Sequence, residues 1–467
     1  VKEQNVLDDD RIGLLLLKLS LPAFFGMSVM TLYNVVDTIF IGHYVGPLGI
    51  AGLSIVFPLQ MLSLGIGQMT GMGGASVVSR LIGARNTPRA EHALGNAITF
   101  NIMLSVMMTI AGLAGRDFWL GLMGSSDTIL PYARDYMTIV VAGMVFPTLG
   151  MAMNALVRAE RNARVAMTGM IVGAVLNIIL DAIFIILLHM GITGAALATV
   201  ISQMVSVAYF LGYYFSGRSF LKIYLKNLAL KLDILKAVLA IGVASFARTL
   251  SVSLSAVFVN RTLVAYGGDY AVSAFGIVNR IMMFAIMPGI VIGQGLQPIL
   301  GYNYGAKRYG RALKTIKIGM IAATSCCILV FVVLYSATEP LIRIFTADEG
   351  LVELGTHAAR RIILAMYLIG FIMVGSLTFQ SIGKAVQSFI TAISRAALFL
   401  IPLIFILPRY MQLDGVWLAF PLADALTFLL TLALLIPQIR ELRRLSSKKG
   451  EHETIRNTNH MGFGEMK

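Results

Sequence analysis

A chain of 467 residues in which 57% are hydrophobic and only 13% charged falls well below the quarter or so of charged residues in an ordinary soluble domain, which excludes a water-soluble globule. The formal net charge of +14 raises the question of nucleic acid, but the basic residues lie between long apolar runs, the pattern of membrane topology rather than of a basic patch. A barrel is excluded too, because its strands are short and alternate apolar with polar residues.

Taken in chain order, apolar runs of spanning length lie near residues 12–42, 50–79, 93–115, 128–157, 165–189, 192–215, 237–266, 271–303, 315–336, 356–382, 387–408 and 413–437. At ~1.5 Å per residue each crosses a hydrocarbon core of ~30 Å. The reading is an all-α membrane protein of twelve transmembrane helices. The polar tail 1–11, VKEQNVLDDDR, precedes a run too long for a leader's apolar stretch, so that run is expected to stay as the first span. Residues 12–215 then form a first lobe, 216–236 a basic linker, 237–437 a second lobe, and 438–467 a mobile polar tail whose basic start can touch anionic headgroups. Most of the 37 lysines and arginines fall on the side of the N-terminus, in the tails and in 80–89, 158–164, 218–236, 307–317 and 384–395, whereas Arg248 and Arg280 lie within spans. The positive-inside rule places both termini in the cytoplasm. The adjacent Cys326 and Cys327 sit in the ninth run without metal-ligand company and read as apolar filler.

An offset of 222 residues matches YVGPLGIAGLSIV (44–56) with YGGDYAVSAFGIV (266–278), and the register holds to Ala90 and Ala312. Further on, ITGAALAT (192–199) matches LDGVWLAF (413–420). Six spans per copy return the chain to its starting side, so the copies are expected to be two pseudo-symmetric six-helix bundles related by an axis along the membrane normal.

Three acids remain within spans: Asp37, Asp181 and Asp424. A carboxylate at mid-bilayer costs about 2.5–3.5 kcal/mol on insertion scales, so such groups meet partners or water and commonly mark ion paths. Asp37 and Asp181 lie five and nine residues in from Gly42 and Met190, roughly 8 and 14 Å by the helical rise. Asn177 is one turn below Asp181, Tyr33 one turn below Asp37, and Thr199 reaches a similar depth. Two carboxylates with Asn, Thr and Tyr oxygens suit Na⁺ or a proton. The bland account is that each acid hydrogen-bonds a neighbouring helix as polar glue. Against it, the offset partner of Asp37 is Val259 and none faces Asp181 near Ile404, so the architecture packs without these acids. Asp424 is expected either to pair with Arg248 or Arg280 or to receive a cationic substrate.

The segments LPAFFG and YNVVDTIFIG in the first span, the loops GARNTPRA and GAKRYGRA, and NIILD followed by GAALAT resemble the multidrug and toxic compound extrusion (MATE) family over roughly residues 12–437. The resemblance implies the twelve-helix MATE fold and export of amphipathic, often cationic compounds by antiport with H⁺ or Na⁺ through alternating access. It implies that Asp37, Asn177, Asp181 and Thr199 form the first-lobe cation site of the DinF-like branch, with MepA-like members nearby. Tyr33 and Asn154 match further polar positions of that lobe, and Pro22 the proline at which the first helix bends. Span seven carries Arg248 and no acid, a departure from the NorM-like branch. The resemblance further implies a multi-pass protein of the bacterial cytoplasmic membrane, taking small drug-like substrates, with no cofactor beyond the coupling ion, no nucleic acid partner and a monomeric state. A lipid-linked saccharide flippase of the same superfamily is the alternative, although it calls for a cavity richer in arginine and lysine. The six scattered histidines form no HExxH and no Walker loop is present, so neither a metalloprotease nor ATP drive is supported.

Overall fold

The computed structural model describes the backbone of residues 11–123 and 128–462, and the side chains of all of these except 34, 38, 47 and 449–462. The N-terminal tail, Arg11 apart, and residues 463–467 lie outside the described residues. The first lobe contains α1 (Ile12–Tyr44), α2 (Pro47–Gly83), α3 (Thr87–Ala114), the short α4 (Arg116–Leu122), α5 (Leu130–Ala142), α6 (Val145–Ala159), α7 (Ala163–Asp181), which continues as a π-helical stretch (Ala182–Leu187), and α8 (Gly191–Phe215). After α9 (Leu225–Leu228), the second lobe contains α10 (Leu232–Gly305), α11 (Tyr309–Ser336), α12 (Thr338–Arg343) and α13 (Glu349–Ile362). The last runs through a 3₁₀ stretch into α14 (Ile369–Ile382), and α15 (Ala385–Ile393) runs through a π-helical stretch (Ser394–Leu400) into α16 (Ile401–Ile406) before α17 (Pro408–Gly462).

Among the described residues ten helices are long and apolar enough to cross a bilayer, and α5 with α6, bent by 48°, makes an eleventh. Helix α10 enters that count once, yet its 74 residues would run ~110 Å unbroken, more than three hydrocarbon thicknesses. It breaks at Gly268, with φ 62° and ψ −164°. Separating its two arms there yields the twelve segments expected from hydropathy.

The repeat is written into the backbone. Gly46, between α1 and α2, has φ 89° and ψ −173°, and Gly268 repeats that conformation at the 222-residue offset. Arg85 (φ 58°) corresponds in the same way to Lys307 (φ 56°), and Arg161 (φ 78°) to Gly383 (φ 83°). Positive φ is costly for residues with a Cβ, so its recurrence at one offset marks duplicated turns.

Helix α1, read from sequence as the start of the first lobe (12–215), packs on both lobes. Its Leu15, Leu16 and Leu19 are buried with Leu296, Ile299, Leu300 and Ile316 of the second lobe. Farther along, Gly26 faces Met170 of α7 closely enough that a Cβ would stand 3.1 Å from its sulfur. Pro22 lies between these two packing environments, within a helix that is continuous through it.

The lobes meet at the end that carries the basic loops. Gly73 meets the Val238 carbonyl, Gly83 that of Tyr302, and Gly305 that of Arg80, each so closely that a Cβ would clash at 2.2 Å or less. Hydrogen bonds join Ser76 to the Gln380 carbonyl, Gln297 to the Met72 carbonyl (3.3 Å) and Thr249 to Gln68 (3.4 Å). By helical rise these contacts lie within about 27 Å of that end, as does the Ser28 hydroxyl of α1 on the Met287 sulfur (4.0 Å), and among the described residues no hydrogen bond joins the lobes farther out.

The linker and the segment after the last span both carry backbone structure. The linker 216–236 is bound to α3: Asn96 donates to the Ala229 carbonyl (3.0 Å) and accepts from the Lys231 amide (2.7 Å), while Thr99 donates to the Leu228 carbonyl (2.9 Å). The segment 438–467, expected as a mobile tail, continues α17 to Gly462. No proline interrupts it beyond Pro437, and Glu441 is held by Lys384 at 3.1 Å.

Candidate functional site

Three helices converge on the intramembrane acids of the first lobe. Asp37 stands two turns from the end of α1, and Asp181 is the last residue of α7 before the π-helical stretch, an irregularity frequent at functional sites. Asp37 is 9% exposed, Asn177 1% and Asp181 0%. Asp181 lies within electrostatic range of Asp37. Thr199 is half buried on α8, which packs along α7; its carbonyl accepts from the Ser202 hydroxyl, and among the described residues its own hydroxyl does not bond the acids. Structure thus brings Asp37, Asn177 and Asp181 together, with Thr199 on the adjoining helix.

What distinguishes this cluster is unmet demand. Oδ1 of Asp37, both carboxylate oxygens of Asp181 and both amide atoms of Asn177 are buried without a hydrogen-bond partner. Buried polar atoms are nearly always paired, and a buried carboxylate without a partner is among the costliest groups a protein can carry. If the acids were polar glue, their oxygens would be bonded to neighbouring helices. Such a set of unpartnered oxygens has the chemistry to take up a proton or a small hard cation.

Two residues outside the sequence reading join this layer. Tyr136 of α5 is 2% exposed, lies within electrostatic range of Asp37, Tyr33 and Asp181, and accepts a hydrogen bond from Gln60 of α2 (3.1 Å). A search confined to intramembrane carboxylates passes over them; the signal was a tyrosine and a glutamine within apolar runs.

Asn154 is placed elsewhere. Its amide donates to the Ala166 carbonyl (2.9 Å) and its oxygen accepts from Arg158, fifteen residues along α7 from Asp181, or roughly 22 Å. It ties α6 to α7 near the basic end and does not line the acid cluster.

The second lobe corrects the partner expected for Asp424. Neither Arg248 nor Arg280 meets it; Arg395 does, through Nε to Oδ1 and Nη2 to Oδ2, the latter at 3.4 Å. Arg395, counted with the cytoplasmic-side bases of 384–395, lies inside the π-helical stretch of the eleventh segment. Ten residues beyond Ala385 it is ~15 Å deep, and Asp424, 1% exposed, meets it from the opposite end. Arg280 is exposed on the second arm of α10, with no ion pair among the described residues.

Known proteins resemble this chain over nearly its whole length. A family model described as MatE matches residues 22–183 and 242–406. The multidrug export protein MepA of Staphylococcus aureus (strain MSSA476) is 25% identical over 409 residues, covering 87% of this chain and 90% of that protein. Its Staphylococcus haemolyticus counterpart is 26% identical over 399 residues, covering 85% and 87%. Among solved structures, the MATE multidrug transporter DinF-BH superposes with a TM-score of 0.85 at 42% identity, covering 91% of this chain and 95% of that one. The outward-facing conformation of a multidrug resistance MATE family transporter of the MOP superfamily gives 0.89 at 27%, covering 95% and 99%.

Proposed function

The chain belongs to the MATE family, and we propose that it is a secondary exporter of amphipathic, often cationic compounds, driven by inward movement of H⁺ or Na⁺ and working by alternating access. The observation that carries this reading is the buried, unpartnered set of Asp37, Asp181 and Asn177 oxygen and nitrogen atoms. The lobes close on each other at the basic end, which topology assigns to the cytoplasm of a bacterial cell, and the acid cluster lies beyond the last of these contacts. A cation enters from the open end and binds Asp37 and Asp181; a cationic substrate is drawn to the same field, so each expels the other.

The driving force suffices. One charge crossing about 100 mV supplies ~2.3 kcal/mol and a tenfold gradient ~1.4, which supports a substrate gradient of a few hundredfold when the substrate itself moves no charge. The test is efflux of ethidium from proteoliposomes under imposed pH or Na⁺ gradients. Asp37→Asn is expected to abolish gradient-driven efflux while leaving the protein folded, and undiminished efflux by that variant refutes the assignment.

A further inference from the structure

The second lobe holds one intramembrane charge that the coupling site does not use. Arg248 is on the first arm of α10, sixteen residues from Leu232 and twenty from Gly268, about 24 and 30 Å from the two ends by the helical rise. An arginine side chain cannot snorkel to either interface from there. Its Nε is buried without a partner, and among the described residues its guanidinium makes no hydrogen bond or ion pair. The residue is half buried and shares a face of the helix with the buried Ala244, Ser251 and Ser255, opposite the exposed Val243, Leu250 and Leu254, so its free end is on the protein side of α10 rather than the lipid side.

Three relationships place that end. Thr249, the next residue, bonds Gln68 (3.4 Å), and Phe246 stands against Gly65; among the described residues the first is the outermost hydrogen bond between α2 and α10, so Arg248 lies where that bonding between the lobes ends. Asp424, the lobe's own intramembrane acid, is already neutralised by Arg395. At the 222-residue offset the first lobe has Gly26, packed on Met170, so the architecture does not require a base here. The lobes thus carry opposite signs: unpartnered acids around Asp37 in one, an unpartnered guanidinium in the other. Since Arg248 corresponds to Gly26, eleven residues below Asp37, the two charges differ in height by about 16 Å, the scale of a drug-sized molecule.

We propose that Arg248 forms an anion subsite at the apex of a cleft between the lobes, which receives the carboxylate of a zwitterionic amphipathic substrate whose cationic end faces Asp37. This rests on the export reading above and adds a substrate class to it. A guanidinium binds a carboxylate through paired, charge-assisted hydrogen bonds, for which a lysine is a weaker replacement and a glutamine a poor one.

The test uses two forms of one xanthene dye, a cationic rhodamine ester and its zwitterionic free acid, titrated by fluorescence anisotropy against the purified protein in lipid-free detergent. Arg248→Gln is expected to weaken binding of the acid by about tenfold or more while leaving the ester unchanged or tighter, and Arg248→Lys to recover part of the loss. The acid-to-ester ratio within each variant cancels general effects on folding. An unchanged ratio in Arg248→Gln overturns the proposal, as does competition by phosphatidylglycerol that depends on Arg248 without any discrimination between the dyes, which assigns the arginine to lipid. Binding of neither dye by the wild type overturns the export reading together with this one.

Discussion

The guanidinium carbon of Arg161 lies 4.3 Å from the ring centroid of Tyr302, so a turn of the first lobe grips the second at the basic end. Arg161 does so from a turn with a positive φ of 78°. Such a contact is worth about 0.5–1 kcal/mol where exposed, a shift of about two- to fivefold in a two-state equilibrium. Tyr302→Leu is expected to raise opening at this end by that factor. The measurement is maleimide labelling of Ser79→Cys from the basic side, in a background where Cys326 and Cys327 are replaced; an unchanged rate separates this contact from gating.

The acid cluster predicts a trade between function and stability. Since the oxygens of Asp181 lack partners, Asp181→Asn removes a costly buried charge without breaking a bond. The variant is expected to lose gradient-driven efflux yet melt a few degrees higher than wild type in detergent. A lower melting temperature returns the residue to the role of polar glue.

Asp424 behaves in the opposite way, because its charge is matched. Removing one member of a buried ion pair costs about 3–5 kcal/mol, whereas replacing both with apolar groups is often neutral. Arg395→Met alone and Asp424→Leu alone are expected to destabilise strongly, and the double variant to recover most of the loss in thermal unfolding. Additive losses in the double variant contradict the pairing.

Glu160 supplies a pH signature outside the spans, in the turn after α6. It is 6% exposed, and burial, only partly offset by hydrogen bonding from Tyr213, Tyr214 and the Phe220 and Leu221 backbone, raises its carboxyl from the ordinary glutamate value to about 8. The unfolded chain therefore ionises first, so the contribution is fully present below pH ~4.5 and is lost as pH rises through about 8, by up to about 1.4 kcal/mol per unit. Wild-type stability is expected to fall over this window and level off above it. Glu160→Gln flattens the profile in thermal unfolding; a slope retained by that variant assigns the dependence to another group.

The sequence by itself determined the spans, the repeat and the three intramembrane acids. Hydropathy, helical rise and a self-match are properties of the chain taken segment by segment, and the bilayer punishes any other arrangement of apolar runs. Depth along single helices was enough to bring Asp37 and Asp181 into one layer, since both are counted from the same interface. Tertiary structure alone decided which neighbours face one another. Arg395 falls within the eleventh apolar run yet counts among the cytoplasmic-side bases, and only packing against α17 brings it to Asp424. The same holds for Tyr136 and Gln60, for the separation of Asn154 from the acids, and for the first turns of α1 in the second lobe's core. Each depends on the rotation of one helix against another, which is fixed by side chains on different helices, from a dozen to nearly three hundred residues apart, and leaves no local trace in composition.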